Sequence, residues 1–223
     1  MRVVIKFAAP AVALALAVPV WAQFGMGRGP NMRGVFHPVV GEGAAYQVQG
    51  GRGGGNDMEI AVVGKEAYQG QTGYWIEMTF GDPRGGTGVS KSLYVMEGPN
   101  PGVKRMIMMM NGEAYEFPMN SPMMGGRAPQ PQSSDVRNDK TVVDVGKESI
   151  TVPAGTFSCE HYRANDGSYD VWVAEKISPW GLVKSTGKDY SMVLTRVITD
   201  AKTKITGPVK PFDPSAMMGQ RPN

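Results

Sequence analysis

Val103–Phe117 reads VKRMIMMMNGEAYEF, two β-prone runs on either side of Asn111-Gly112. A two-residue type I′ turn needs positive φ at both central positions, and Asn-Gly meets that need at little steric cost. The stretch therefore predicts a β-hairpin. Within its first strand a period of two puts Met106, Met108 and Met110 on one face and Ile107 and Met109 on the other.

The same reading extends toward the N-terminus. Short β-prone runs at Ala44–Gln49, Met58–Tyr68, Tyr74–Phe80 and Lys91–Met96 alternate with GGRGGGND, QGQTG and GDPRGGTG, which are turn signals. In YWIEMTF, Tyr74, Ile76, Met78 and Phe80 share one face while Trp75, Glu77 and Thr79 share the other, as in a half-buried strand. This spacing predicts an antiparallel meander.

Toward the C-terminus, Pro118–Asp139 contains Pro118, Pro122, Pro129 and Pro131 and has no period, so a long mobile loop is expected there. Strands are then expected at Thr141–Val145, Ser149–Val152, Thr156–Ala164 and Ser168–Ala174, with turns at Gly146-Lys147, Pro153-Ala154-Gly155 and Asn165-Asp166-Gly167. A last long strand is expected over Asp189–Asp200. There Tyr190, Met192, Leu194 and Ile198 form the apolar face, with Arg196 among them at a rim. The Thr141–Gly207 half has fewer than 70 residues and would be a marginal domain by itself, so both halves are expected to share one sheet.

Ile150–Arg163 (ITVPAGTFSCEHYR) and Asp166–Ser185 (DGSYDVWVAEKISPWGLVKS), followed by the final strand, carry an "aGtF" turn, a "vWv" strand and a "P-x-G-L-V-K" step. Over Val142 to about Gly207 the chain resembles exported bacterial proteins of the LolA/LolB-like superfamily. The resemblance implies a strongly curved antiparallel sheet, an open half-barrel with little helix, whose concave face holds acyl chains. The chain departs from the lipoprotein carriers in having no clear helices to plug the barrel.

Residues 1–22 begin with Arg2 and Lys6, continue through an apolar run and end in Val20-Trp21-Ala22, the pattern of a cleavable export signal. The expected location is therefore periplasmic or secreted. The apolar run is short for a membrane span and is broken by Pro10 and Pro19, so no stable membrane anchor is expected after cleavage. Residues 23–34 read as a disordered lead-in, 35–207 as a single β domain and 208–223 as a disordered tail.

The formal net charge is +3, and no basic cluster interleaved with aromatics points to nucleic acid. No catalytic motif is present: there is no H-E-x-x-H, G-x-S-x-G or P-loop. The expectation is a protein that is not an enzyme and needs no cofactor. One cysteine, Cys159, cannot form an internal bridge; burial, intermolecular pairing and a ligand role are its alternatives.

The 16 methionines are the unusual group. Met106, Met108 and Met110, with Trp172 and Trp180, suit the lining of an apolar site for a lipid or acylated ligand, because methionine adapts to irregular apolar surfaces. Trp180, in a Pro179-Trp180-Gly181 turn, is expected to be partly exposed as a gate. Thioethers also favour Cu(I), and Cys159 with His161 at i and i+2 could add a thiolate and an imidazole to Met106, Met108 and Met110. Oxidant scavenging is a third reading.

Overall fold

The computed structural model describes residues 32–50, 56–81, 87–98, 101–119 and 135–213. The expected signal, most of the lead-in, most of the 118–139 loop and residues 214–223 lie outside the described residues.

Twelve strands form one sheet. They are β1 (Gly43–Gly50), β2 (Asn56–Tyr68), β3 (Gln71–Gly81), β4 (Thr87–Val95), β5 (Gly102–Met110), β6 (Glu113–Phe117), β7 (Val142–Val152), β8 (Gly155–Ala164), β9 (Tyr169–Val173), β10 (Leu182–Gly187), β11 (Tyr190–Ile198) and β12 (Val209–Pro211). Their order across the sheet is β12-β6-β5-β4-β3-β2-β1-β11-β10-β9-β8-β7. Every pairing is antiparallel except that of β12 with β6. The sheet is curved and unclosed, an open half-barrel with β12 and β7 at its edges.

In the second half the β7–β8 turn returns to β11, where the Ala154 N–H donates to the Leu194 carbonyl at 3.3 Å. The two halves of the chain meet where β1 pairs with β11.

The Val103–Phe117 hairpin forms as expected, with φ of 52° at Asn111 and 81° at Gly112. The alternation on β3 also holds. Tyr74, Ile76 and Met78 join the main core with Tyr46, Val62, Val171, Trp180, Met192 and Leu194, whereas Trp75 packs on the opposite face with Leu93 and Ile107. The first face is called inner, the second outer.

Two expectations change because of bulges, each of which inserts one extra residue and reverses the facing of the residues after it. The turn expected at Gly146-Lys147 is instead a bulge within one long strand, β7. Its register passes from Asp144↔Tyr162 to Gly146↔His161, and Gly146 takes φ 117° while the Asp144 carboxylate accepts its N–H at 2.8 Å.

On β11 the partners pass from Leu194↔Tyr46 to Arg196↔Ala45, leaving Thr195 as the extra residue. Arg196 is thereby turned away from the apolar face of Met192 and Leu194. It is exposed and meets Glu59 at 2.7 Å.

Both expected disordered ends contain ordered residues. In the lead-in, Met32 packs on the core and Arg33 binds Asp139, Thr141 Oγ1 (2.9 Å) and the Tyr169 hydroxyl (3.1 Å). At the end of the predicted loop, Val136–Asn138 form a single 3-10 turn capped by Asp135, and Val136 is fully buried. The tail supplies β12. Prolines on each side of Val209-Lys210 suppress helix and central strand but permit a short edge strand.

Candidate functional site

On the inner face of β5 and β6, Met106, Met108, Phe117 and Phe212 form an apolar cluster distinct from the main core, with Met110, Tyr115 and Met119 packed against it. The period of two on β5 places the three methionines together, as the sequence predicts. Across the hairpin Met106 faces Phe117 and Met108 faces Tyr115, so each thioether meets an aromatic neighbour.

Toward the main core this face continues through Ser92, paired with both Met106 and Ile76, and through Ser90, paired with both Met108 and Met78. Those two serines separate the methionine cluster from Ile76 and Met78. Tyr94, two residues after Ser92, packs edge-on against Trp180 at 5.7 Å.

Trp180 is not a partly exposed gate. It is 4% exposed, enclosed by Phe36 and Tyr94, because the lead-in runs over it: the Val35 N–H donates to the Trp180 carbonyl at 2.9 Å. Its indole N–H is buried and has no hydrogen-bond partner among the described residues.

Phe212 reaches the methionine cluster from the far side of the sheet. After β11 the chain runs along the outer face, where the Ala201 N–H donates to the Gly41 carbonyl at 2.8 Å. Glu77, 4% exposed, then accepts from the Thr203 hydroxyl at 2.6 Å and from the Lys204 N–H at 2.9 Å. Ile205 joins Trp75, Leu93, Ile107 and Ala114, and β12 docks on the edge of β6.

The chain then rounds that edge. The Phe212 N–H donates to the Glu116 carbonyl at 2.9 Å, and the Phe212 ring stacks on Phe117 with centroids 4.1 Å apart. Residues 199–213 are thus a strap over the outer face ending in an aromatic hook on the inner one. Sequence patterning misses this because a three-residue strand has no detectable period.

Cys159 and His161 lie on β8, far across the sheet from β5, and Cys159 belongs to the main core while the methionines do not. The five residues of the copper reading are therefore not brought together. Burial and the nearby Glu148 charge push the Cys159 thiol up to about 11, which disfavours the thiolate that binds metal. Among the described residues no group of three or more His, Cys, Asp and Glu side chains is arranged to hold a metal ion.

His161 is instead the centre of a polar network. Its Nδ1 lies 2.6 Å from Glu148 and its Nε2 2.6 Å from Asp170, while its ring stacks on Trp172. Trp172 donates its N–H to Glu148 at 2.8 Å, and the Lys184 ammonium sits 4.6 Å from the indole centroid. Trp172 is accordingly a structural tie between β7, β9 and β10, on a different part of the sheet from the methionines. Glu148 and Asp170 carry no signal in the sequence because their link to His161 depends on strand register.

A cleft of about 120 Å³ is lined by Val35, Arg137, Cys159 and Glu160, and another of about 170 Å³ by Glu59, Glu77, Arg196 and Lys204. Neither lies on the methionine face.

No protein-family model matches the chain, and no curated protein matches it. Among solved structures it is similar to an exported protein with a YmcC-like fold from Bacteroides fragilis, at 16% identity and a TM-score of 0.36, covering 74% of this chain and 99% of that one. It is also similar to a lipoprotein from Parabacteroides distasonis, at 17% identity and a TM-score of 0.36, covering 74% of this chain and 98% of that one. Among the described residues no helix is long and apolar enough to cross a membrane.

Proposed function

We propose that this is an extracytoplasmic binding protein, not an enzyme, which takes an apolar ligand such as a lipid or acylated chain on the inner face of β4–β6. The observation that carries the reading is the segregation of Met106, Met108, Phe117 and Phe212 from the main core. Methionines grouped on one face and backed by aromatics adapt to ligands of variable shape, whereas a core that serves only stability is better filled by branched side chains.

The unpartnered Trp180 N–H, farther along the same face, is a donor available to a polar head group once the lead-in shifts. The N-terminal Arg2, Lys6 and apolar run support export, and the resemblance of Val142–Gly207 to LolA/LolB-like proteins supports an acyl ligand.

Native mass spectrometry of protein purified from its own host, with titration by a fluorescent fatty acid, tests the reading. Bound lipid, or saturable probe binding weakened by Met108→Lys, is expected. Absence of both sinks it.

A further inference from the structure

We infer that the edge of β6 along which β12 lies, with the Phe117 pocket beside it, is a docking site for an extended peptide strand of the form basic-x-aromatic. This goes beyond the apolar-ligand reading, since the ligand is a polypeptide held by its backbone and one aromatic side chain. The chain's own Val209–Phe212, reading VKPF, occupies the site and displays its chemistry.

Strand addition to a sheet edge takes affinity from main-chain hydrogen bonds and specificity from pockets for alternate side chains. Each element is present here. Val209, Lys210 and Pro211 pair in parallel with Ala114, Tyr115 and Glu116, and the Phe212 N–H extends the ladder to the Glu116 carbonyl. Phe212 is 7% exposed, stacked on Phe117 and edge-on to Tyr115 at 6.4 Å, with Met106 and Met108 completing the pocket.

Two residues earlier, the Lys210 ammonium meets the Glu113 carboxylate at 2.5 Å. That carboxylate also accepts from the Tyr115 hydroxyl at 2.5 Å, and the two hydrogen bonds together with the lysine charge hold it below the usual range. A fixed negative charge thus reads a basic side chain at the position two before the aromatic.

Within the internal occupant Phe212 is the anchor and the strand itself is the weakly held part. All three residues of β12 are exposed, parallel pairing is the weaker kind, and Pro211 brings no N–H. The strap that delivers it is secured separately at Glu77 and Ile205, so release of the hook leaves the outer-face packing in place.

The test uses the full chain and a labelled peptide GPVKPFD, corresponding to Gly207–Asp213, followed by fluorescence anisotropy. Phe212→Ala in the chain empties the pocket, and the peptide is expected to bind this variant about tenfold more tightly than the wild type, whose own hook competes. Replacing phenylalanine by alanine in the peptide, or Glu113→Lys in the chain, is expected to lower that binding about tenfold.

Lys210→Glu in the full chain provides a second opening that leaves the core untouched, and it too is expected to increase peptide binding. Binding that is indifferent to the peptide's phenylalanine, or equal in all chains, overturns the inference. A fatty-acid probe run in parallel separates the two readings: probe binding without peptide binding defeats this one and leaves the apolar-ligand site standing. Peptide binding without probe binding supports the inference and counts against the apolar ligand.

Discussion

The imidazole of His161 lies flat on the indole of Trp172, ring centroids 4.4 Å apart and planes 17° from parallel, because the two residues are direct partners on β8 and β9. With the Lys184 ammonium over the same indole and a carboxylate at each imidazole nitrogen, four strands are tied at one point. His161→Ala removes the stack and takes one of the hydrogen-bond partners from each of two carboxylates, and a loss of about 2 kcal/mol is expected. Urea unfolding followed by tryptophan fluorescence measures it; a midpoint unchanged from the wild type contradicts the assigned role.

Acid should weaken the same tie. Burial raises the Asp170 carboxyl, but the hydrogen bonds from His161 and Arg163, with the Arg163 charge, outweigh it and leave the group below its usual value. A carboxyl that is lower in the folded state contributes stability above the unfolded value of about 3.9. That contribution is lost as the pH falls through the folded value. Asp170→Asn is therefore expected to be less stable than the wild type at pH 7 and to show a smaller further loss as the pH falls below about 4. Thermal melts across that range report it, and parallel curves for the two proteins would refute it.

Glu77 secures the strap to the outer face with both of its oxygens. Glu77→Ala leaves the Lys204 N–H without its acceptor and the Thr203 hydroxyl with only the Ile205 carbonyl, 3.5 Å away, and should cost about 1–3 kcal/mol. Limited trypsin digestion should then cut at Lys202 and Lys204 well before the strands. If those two sites resist cleavage as they do in the wild type, Glu77 does not hold the strap.

Gly34 lies where the lead-in passes over the Trp180 turn, and a Cβ built there would sit 1.9 Å from the Trp180 carbonyl oxygen. Backbone on both sides cannot yield easily. Gly34→Ala is expected to destabilise the protein by about 1–3 kcal/mol and to alter its near-ultraviolet circular dichroism, because Trp180 loses its cover. An unchanged aromatic signal would mean that the lead-in is not docked as described.

Cys159 is 1% exposed, and its thiol is raised to about 11 by burial and by the Glu148 charge. It should react with a thiol reagent at pH 8 only after denaturant is added. Rapid native labelling would revive an intermolecular or ligand role for it.

Asn111-Gly112, the alternation of YWIEMTF and the runs of turn residues each encode their geometry locally, which is why the β class, the Val103–Phe117 hairpin and the shared face of Met106, Met108 and Met110 are legible in the sequence alone. A two-residue turn and a period of two need no distant partner to be read. The tertiary structure was required for everything set by register or by long-range closure. The bulges at Val145 and Thr195 reverse the facing of the residues after them, so that Arg196 moves off the apolar face. The His161 network depends on which residues of β7 and β9 face β8. The strap depends on Glu77, 126 positions before Thr203, and on the edge of β6 with which β12 pairs. A proline-rich tail such as PVKPFD has too little local preference to specify a strand; only a sheet edge with open hydrogen bonds and an aromatic pocket beside it decides that Phe212 is a core residue.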